Sequence, residues 1–430
     1  MNGDPPSPKT GAPATVLLAL ITRISYKKAP VAPDNQRLST CPPRGGNRSF
    51  PANHIVLRDM QARGLWNGSF NGRECTLQQV SPYIGKLKSG IVRTLIKHFT
   101  RRSDWICDPF AGSGVVPLEA VLLGRKALAN DLSPYAYRVT RGKLSAPFSY
   151  DEAERRTNRL IRYVSRHWLD QDLRGVDAWV RCFFHPRTLK ETLAAFEYCH
   201  RACDHFLAAC LCGILHHQRP GFLSYPASHM VPYLRTELFP PRSYPELYEY
   251  RDLADRILAK VKRAYRRPPE TRWTGDDYIV QRRDSRDLGF RDASTDFVLT
   301  SPPYYGALDY ARDNRLRLWF LGLRDWQSLN ARLTSRASIY ECDMKACLRE
   351  MRRVLKPGKY CVLIVGEVQR NGKTKDTAAV LGGMAEEVGF TVDCVIDDEI
   401  PDIRRSRRGT KTTRIEKILV LRRSRGVHAH

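Results

Sequence analysis

Two short motifs in this chain hold residue types that can bind a charged ligand and move a small group. The first is Asp108-Pro109-Phe110-Ala111-Gly112-Ser113-Gly114, directly after the apolar run Trp105-Ile106-Cys107. The second is Thr300-Ser301-Pro302-Pro303-Tyr304, directly after a second apolar run that starts at Asp296. A glycine-rich turn behind a strand lets the backbone approach a ligand, because glycine adopts conformations that other residues avoid. Gly112 and Gly114 serve this purpose, with Ser113 between them. In an open α/β sheet, ligands sit beyond the carboxyl ends of the strands, so acidic residues there matter. Asp108 can accept hydrogen bonds from an ammonium group. Asp131, after the strand-like Lys126–Ala129, can hold two ribose hydroxyls. Asp284, in the acidic stretch after Tyr278–Val280, is placed to meet an adenine ring, with Asp287 as an alternative. An ammonium, a ribose and an adenine together suit S-adenosylmethionine. The dinucleotide fingerprint G-x-G-x-x-G is missing from the loop.

The second motif suits methyl transfer to a planar amino group. An exocyclic amine on a nucleobase is a poor nucleophile, because its lone pair is delocalised into the ring. Acceptors for its two hydrogens let the nitrogen rehybridise as it attacks. The Ser301 hydroxyl and the Pro302 carbonyl can be those acceptors. Pro302 and Pro303 stiffen the loop, and Tyr304 offers a face on which a base can stack. Such an amine is inaccessible in a duplex, so the base must be flipped out.

These loops need a sheet to position them. An amphipathic helix is expected over Ile91–Phe99, then a strand at Trp105–Cys107, a helix over Pro117–Leu123 stopped by Gly124, and a strand at Lys126–Ala129 with Ser133 capping the next helix. Residues 150–272 change character, with helical stretches near 151–168, 187–217 and 245–264, and read as an inserted, mainly helical domain. Alternation resumes with strands at Tyr278–Val280, Asp296–Leu299 and Tyr360–Val365 and helices at Met344–Leu355 and Thr377–Val388. Phe390–Ile396 and Ile415–Leu421 close the pattern without a helix between them, so they should pair antiparallel. Strands alternating with helices imply a mainly parallel sheet wrapped on both faces. The domain boundaries expected are a poorly ordered leader at 1–74, a cofactor half at 75–149, the insert at 150–272, a catalytic half at 273–423 and a tail at 424–430.

The net charge of +26 over 430 residues points to a polyanionic partner, with nucleic acid first. Arg404, Arg405, Arg407, Arg408 and Lys411 crowd the link between the last two strands and are the expected phosphate contacts. Arg155, Arg156, Arg159 and Arg162 lie at roughly helical spacing, and Arg263, Arg266 and Arg267 end the insert. The 12 cysteines include no CxxC pair. Cys107, Cys361 and Cys394 sit in apolar runs and read as buried free thiols of a reducing compartment. Cys199, His200, Cys203, His205, Cys210, Cys212, His216 and His217 cluster in sequence, but their apolar surroundings indicate core packing, and no metal is expected. No stretch is long enough to span a bilayer, and a cytoplasmic, nucleoid-associated location is expected.

The two motifs, in this order, resemble those of the S-adenosylmethionine-dependent amino-methyltransferases of DNA, over roughly 75–145 and 275–423. The resemblance implies a Rossmann-like class I methyltransferase fold with a mixed seven-stranded sheet. It implies that Asp108, Pro109, Phe110, Gly112, Ser113 and Gly114 bind the cofactor, and that Tyr83, in the segment Tyr83–Lys88, belongs to an extra cofactor motif. The serine form of the catalytic loop, with Ser301, is typical of cytosine-N4 enzymes, whereas adenine-N6 enzymes carry Asp or Asn. The extension Tyr305–Tyr310, with Arg315 beyond, is also similar to the cytosine subgroup. Two features depart from the family: Val115 stands where Thr is common, and the insert lies between the Asp131 and Asp284 regions.

The function expected is a site-specific DNA methyltransferase acting on cytosine N4 in double-stranded DNA by direct transfer. Adenine N6 is the alternative, since the loop chemistry serves both amines, and RNA guanine N2 follows. A catalytically silent DNA-binding scaffold is a reading from another class, against which the two intact motifs argue. No nuclease motif is evident, so a restriction or defence partner would be a separate chain.

Overall fold

The computed structural model describes residues 53–65, 74–217, 222–225, 240–303, 310–333, 339–366, 368–370, 373–399 and 415–425. Seven strands form one sheet: β1 Trp105–Asp108, β2 Lys126–Asn130, β3 Tyr278–Gln281, β4 Thr295–Thr300, β5 Leu355–Gly366, β6 Phe390–Glu399 and β7 Ile415–Arg423. Their order is β3-β2-β1-β4-β5-β7-β6. The first five are parallel. Strand β7 runs antiparallel to both β5 and β6, as the missing helix between the closing strands required. This is the mixed seven-stranded sheet of the Rossmann-like class I methyltransferase fold.

Eleven helices are used below: α1 Asn53–Ala62, α2 Ser89–Phe99, α3 Val115–Leu122, α4 Pro134–Leu144, α5 Tyr150–His167, α6 Pro186–Arg201, α7 His205–Leu215, α8 Leu253–Ala264, α9 Arg315–Phe320, α10 Tyr340–Val354 and α11 Thr377–Glu387. The central strands are near-continuous apolar runs because both faces of the sheet are covered. Phe297 and Leu299 of β4, Val362 and Ile364 of β5, and Ile418 and Val420 of β7 enter one core. The alternate residues Val298, Cys361, Leu363, Leu419 and Leu421 enter the other. Helices α10 and α11 cover that second face through Met344, Leu348, Met351 and Leu381.

The helices between β2 and β3 join the first core. Leu160, Phe196, Phe206, Leu211, Ile257 and Val261 cluster with Ile106 of β1 and Phe297 of β4. The helical stretch expected over 187–217 is two helices, α6 and α7. Cys203 takes a left-handed φ of 51° at the break, and the Asp204 carboxylate accepts the Leu207 N–H to cap α7. Cys199, Cys210 and Cys212 are buried there, and burial pushes their thiols up. His205 instead bonds Arg138 at 2.6 Å, and His216 bonds Ser224 at 2.8 Å. Among the described residues every cysteine is free, and no His/Cys/Asp/Glu group is arranged to hold a metal.

The leader reading is corrected over part of its length. Asn53–Ala62 is a helix with Leu57 fully buried. Asn53 Nδ2 donates to the Asp393 carboxylate at 2.8 Å and Gln61 Nε2 to the Asp397 carbonyl at 2.7 Å, so α1 covers strand β6. The contact is made to the far end of the chain, which local sequence does not reveal. Among the described residues no helix is long and apolar enough to cross a membrane.

Candidate cofactor and catalytic site

A cleft lies beyond the carboxyl ends of β1, β2 and β4. Its lining includes Tyr83, Asp108, Phe110, Gly112, Ser113, Asp131, Asp284, Ser301 and Pro303. Both motifs therefore meet at one place. Pro109, Gly114 and Pro302 are not among the lining residues. Tyr304 lies outside the described residues, as do Arg404, Arg405, Arg407, Arg408 and Lys411.

The junction of the two motifs is a single hydrogen bond. Thr300 Oγ1, the last residue of β4, donates to Asp108 Oδ1, the last residue of β1, at 2.6 Å across 192 residues of sequence. The Phe110 N–H also donates to Oδ1, at 3.2 Å. Both bonds fall on one oxygen, which leaves Oδ2 for a ligand. Burial pushes the Asp108 carboxyl up to about 7, against the pull of the Thr300 and Phe110 bonds. A buried carboxylate with one open oxygen is a fitting seat for an ammonium, whose charge would offset that burial cost.

The glycine loop behaves as its residue types require. Gly112 and Gly114 have φ of 50° and 73°. A Cβ on Gly114 would stand 2.7 Å from Thr140 Oγ1 and 2.9 Å from Thr140 Cα, so the turn presses directly on α4. A Cβ on Gly112 would stand 3.2 Å from the Tyr83 ring. Tyr83 stacks on Tyr135 at 5.7 Å, and Tyr135 is tied by hydrogen bonds to Ser81 and to the Pro82 carbonyl. The segment before α2 is thus clamped over the loop. Burial, then the nearby Asp131 charge, raise the Tyr83 phenol well above its ordinary range.

Asp131 braces the same loop. Its Oδ2 accepts the Gly112 N–H at 2.9 Å and its Oδ1 accepts the Ser133 N–H at 2.9 Å. Burial pushes this carboxyl up to about 6, with those two bonds pulling it back. Each oxygen keeps a lone pair, so two ribose hydroxyls remain within its capacity. The neighbouring Asn130 is fully buried. It donates to the Pro109 and Arg283 carbonyls at 3.2 and 3.1 Å and accepts the Arg283 N–H at 3.0 Å. Ser285 Oγ donates to the Pro109 carbonyl at 2.7 Å. Asn130 and Ser285 therefore pin the loops after β1 and β3 to each other.

Asp284 is in the lining but is not at the end of β3, which stops at Gln281. Both its carboxylate oxygens are held by the Arg286 guanidinium, at 2.9 and 2.6 Å. Arg286 in turn donates to Asp343 at 2.7 Å. Burial alone would raise the Asp284 carboxyl, but the Arg286 hydrogen bonds and charge hold it below the usual range. Asp287 pairs outward with Arg283 at 3.0 Å.

Ser301 Oγ has no hydrogen-bond partner among the described residues, and Ser301 and Pro303 face the cleft. Arg332, Leu333 and Tyr310 complete that side. Arg315 stands away from the cleft, with its guanidinium 5.0 Å from the Trp179 ring centre. Sequence reasoning missed Thr300, Asn130, Ser285 and Arg286 as working parts. The first two were signalled by lying directly before Ser301 and Asp131. Arg286 has no local signal.

Residues 82–141 match the family model of the N6/N4 DNA methylases, described as DNA methylase. No curated protein matches the chain significantly. Among solved structures, an S-adenosylmethionine-dependent methyltransferase from Methanosarcina mazei is similar at 11% identity and a TM-score of 0.33, over 77% of this chain and 97% of that one. A protein of Thermus thermophilus named as a DNA modification methylase, in complex with S-adenosylmethionine, is similar at 24% identity and a TM-score of 0.22, over 33% of this chain and 52% of that one. TrmN of the same organism is similar at 12% identity and a TM-score of 0.29, over 79% and 50%. The matched segment is 82–141 of the 430 residues, and it holds Tyr83, the whole Asp108–Gly114 loop and Asp131.

Proposed function

We propose that this protein methylates the exocyclic N4 of cytosine in double-stranded DNA. The observation that carries this reading is that Ser301 and Pro303 line the same cleft as Asp108 and Asp131. S-adenosylmethionine, when bound, supplies an activated methyl group. Asp108 holds its ammonium through Oδ2, Asp131 its ribose, and the region of Asp284 and Ser285 its adenine. The base is flipped out of the duplex to reach the cleft. The Ser301 hydroxyl and the Pro302 carbonyl would accept hydrogen bonds from the two amine hydrogens, so the nitrogen lone pair could form the bond to the methyl carbon as the carbon–sulfur bond breaks, with the neutral thioether leaving and the surplus proton of the nitrogen passing to water. Tyr304 supplies the stacking face, and Arg404, Arg405, Arg407, Arg408 and Lys411 contact phosphates. No covalent bond to the protein forms at any step. Ser301 rather than Asp or Asn favours cytosine over adenine, because the resemblance links the serine form to that base.

Expression in a methylation-free bacterial host, followed by mass spectrometry of genomic nucleosides, tests the base. N4-methylcytosine is the expected product. N6-methyladenine with no N4-methylcytosine would overturn the base assignment while leaving the transfer chemistry in place. The absence of both marks would overturn the DNA reading.

Ser301→Ala separates the two halves of the cleft. It removes one acceptor that matters as the nitrogen rehybridises, and no hydrogen bond among the described residues. The expected result is a kcat lowered roughly 10- to 100-fold, equivalent to about 1.5–3 kcal/mol. The S-adenosylmethionine Kd should stay within about twofold of wild type by calorimetry, since uniform binding is untouched. An unchanged kcat would remove Ser301 from the reaction.

A further inference from the structure

Helix α5 carries a stripe of arginine that no part of the methyl-transfer cleft uses. Arg155, Arg159, Arg162 and Arg166 follow one another at intervals of four, three and four residues within Tyr150–His167, so they share one side of the helix. The buried residues of α5 are Ala153, Thr157, Leu160 and Val164. Each arginine stands two positions beyond one of these, about 200° around the helix, and so faces directly away from the core. All four are exposed. Arg156, on a different side, is paired with Glu152. The four stripe side chains have no ion-pair or hydrogen-bond partner among the described residues. Of the neighbouring acidic groups, Glu154 is bonded to Tyr150, Asp170 to His167, and Glu197 to Tyr163 and Arg201, while Asp151, one turn before Arg155, forms no ion pair with it among the described residues.

Such a stripe costs the helix stability. Its three neighbouring like-charged pairs each disfavour α5 by roughly 0.2–0.5 kcal/mol. Only Arg166, in the last turn, gains from the helix dipole. The stripe runs eleven residue steps from Arg155 to Arg166, about 16 Å of helix, close to the axial length occupied by five phosphates of one B-DNA strand. The basic surface continues past it. Tyr150 at the start of α5 lies 6.3 Å from Tyr265, just after α8, and Lys262, Arg263 and Arg266 there are exposed.

We propose that α5 is a backbone-contacting element for duplex DNA, with Arg155, Arg159, Arg162 and Arg166 laid along phosphates of one strand. This rests on the reading of duplex DNA as the substrate and gives the inserted helices a part in holding it. A stripe of this kind reads no base edge, so its contribution is sequence-independent affinity.

The test compares three full-length proteins: wild type, the stripe variant R155Q/R159Q/R162Q/R166Q, and a control, R181Q/R242Q/R291Q/R349Q, that removes four exposed arginines scattered elsewhere. Binding to a fluorescent duplex oligonucleotide is measured by anisotropy across a salt series, with S-adenosylmethionine titrated calorimetrically as a check on folding. The stripe variant should bind the duplex about tenfold more weakly or worse at 0.1 M salt, with the slope of log K against log salt reduced by about 3 to 4. The control should keep most of its slope, and all three should bind S-adenosylmethionine alike. An unchanged slope in the stripe variant, or an equal loss in the control, overturns this inference alone. A wild type that shows no salt-dependent binding to duplex DNA, or that prefers duplex RNA, overturns the DNA reading and the inference with it.

Discussion

Asp108→Asn should weaken S-adenosylmethionine binding about 100-fold while leaving the fold at least as stable as wild type at pH 8. Removing one charge of a buried, hydrogen-bonded pair typically costs 2–5 kcal/mol or more, and about 3 kcal/mol corresponds to roughly 150-fold. The stability half of the expectation follows from the environment of the carboxyl. Burial raises Asp108 to about 7 in the folded protein, above its ordinary value near 4 in an unfolded chain. The folded state therefore holds the proton longer. Ionising the group costs stability, and that cost appears as pH rises from about 4 to about 7 and is complete above it. The neutral asparagine escapes the cost and keeps an oxygen for the Thr300 hydroxyl and the Phe110 N–H. Its thermal midpoint should match wild type near pH 4 and equal or exceed it at pH 8. Binding has the complementary profile. An ammonium needs the ionised carboxylate, so wild-type affinity should fall by up to about tenfold per pH unit below 7, and the asparagine variant should show a flat profile. A midpoint lowered at every pH, with the slope in affinity retained, would show that Asp108 is a structural residue and that the ammonium sits elsewhere.

Much of the cleft was legible from sequence because its parts are local. Asp108–Gly114 and Ser301–Pro303 each follow a strand that is apolar on both faces, and strand ends can be read from such runs. The mainly parallel pairing followed from the same alternation, and the antiparallel closing pair from the missing helix; the order of the strands did not. What escaped is non-local. The Thr300–Asp108 bond joins β4 to β1, and Asn130 ties loops after two strands. Arg286 converts Asp284 from an open acceptor into half of a bidentate ion pair, and a residue two positions away is as common in idle turns as in working ones. Helix α1 was hidden for a similar reason: its partners, Asp393 and Asp397, lie more than three hundred residues away.

Gly114→Ala should be a severe single-methyl change in the cofactor loop, although Gly114 is not among the residues that line the cleft. Two costs add. The φ of 73° is left-handed, where a side chain costs roughly 1–2 kcal/mol. The new Cβ would also collide with Thr140, and overpacking typically costs about 1–3 kcal/mol more. Relief by moving the loop is poor, because the Gly112 N–H is bonded to Asp131 and the Asn130 carbonyl accepts the Ala111 N–H. Any shift would thus carry Asp131 and the loop out of register together. The expected result is a thermal midpoint lowered by roughly 5–10 °C and loss of measurable S-adenosylmethionine binding. Gly383→Ala serves as the contrast. That glycine sits in α11 with nothing within 4 Å of a new Cβ, so alanine should stabilise the protein by about 0.5–1 kcal/mol. The double variant G114A/T140A sharpens the point. Trimming Thr140 removes the contact at 2.7 Å but not the one at 2.9 Å, which is to its Cα. Recovery should therefore be partial at most. Full recovery of binding in the double variant would mean that side-chain crowding alone was at fault, and that the backbone of α4 does not set the path of the loop.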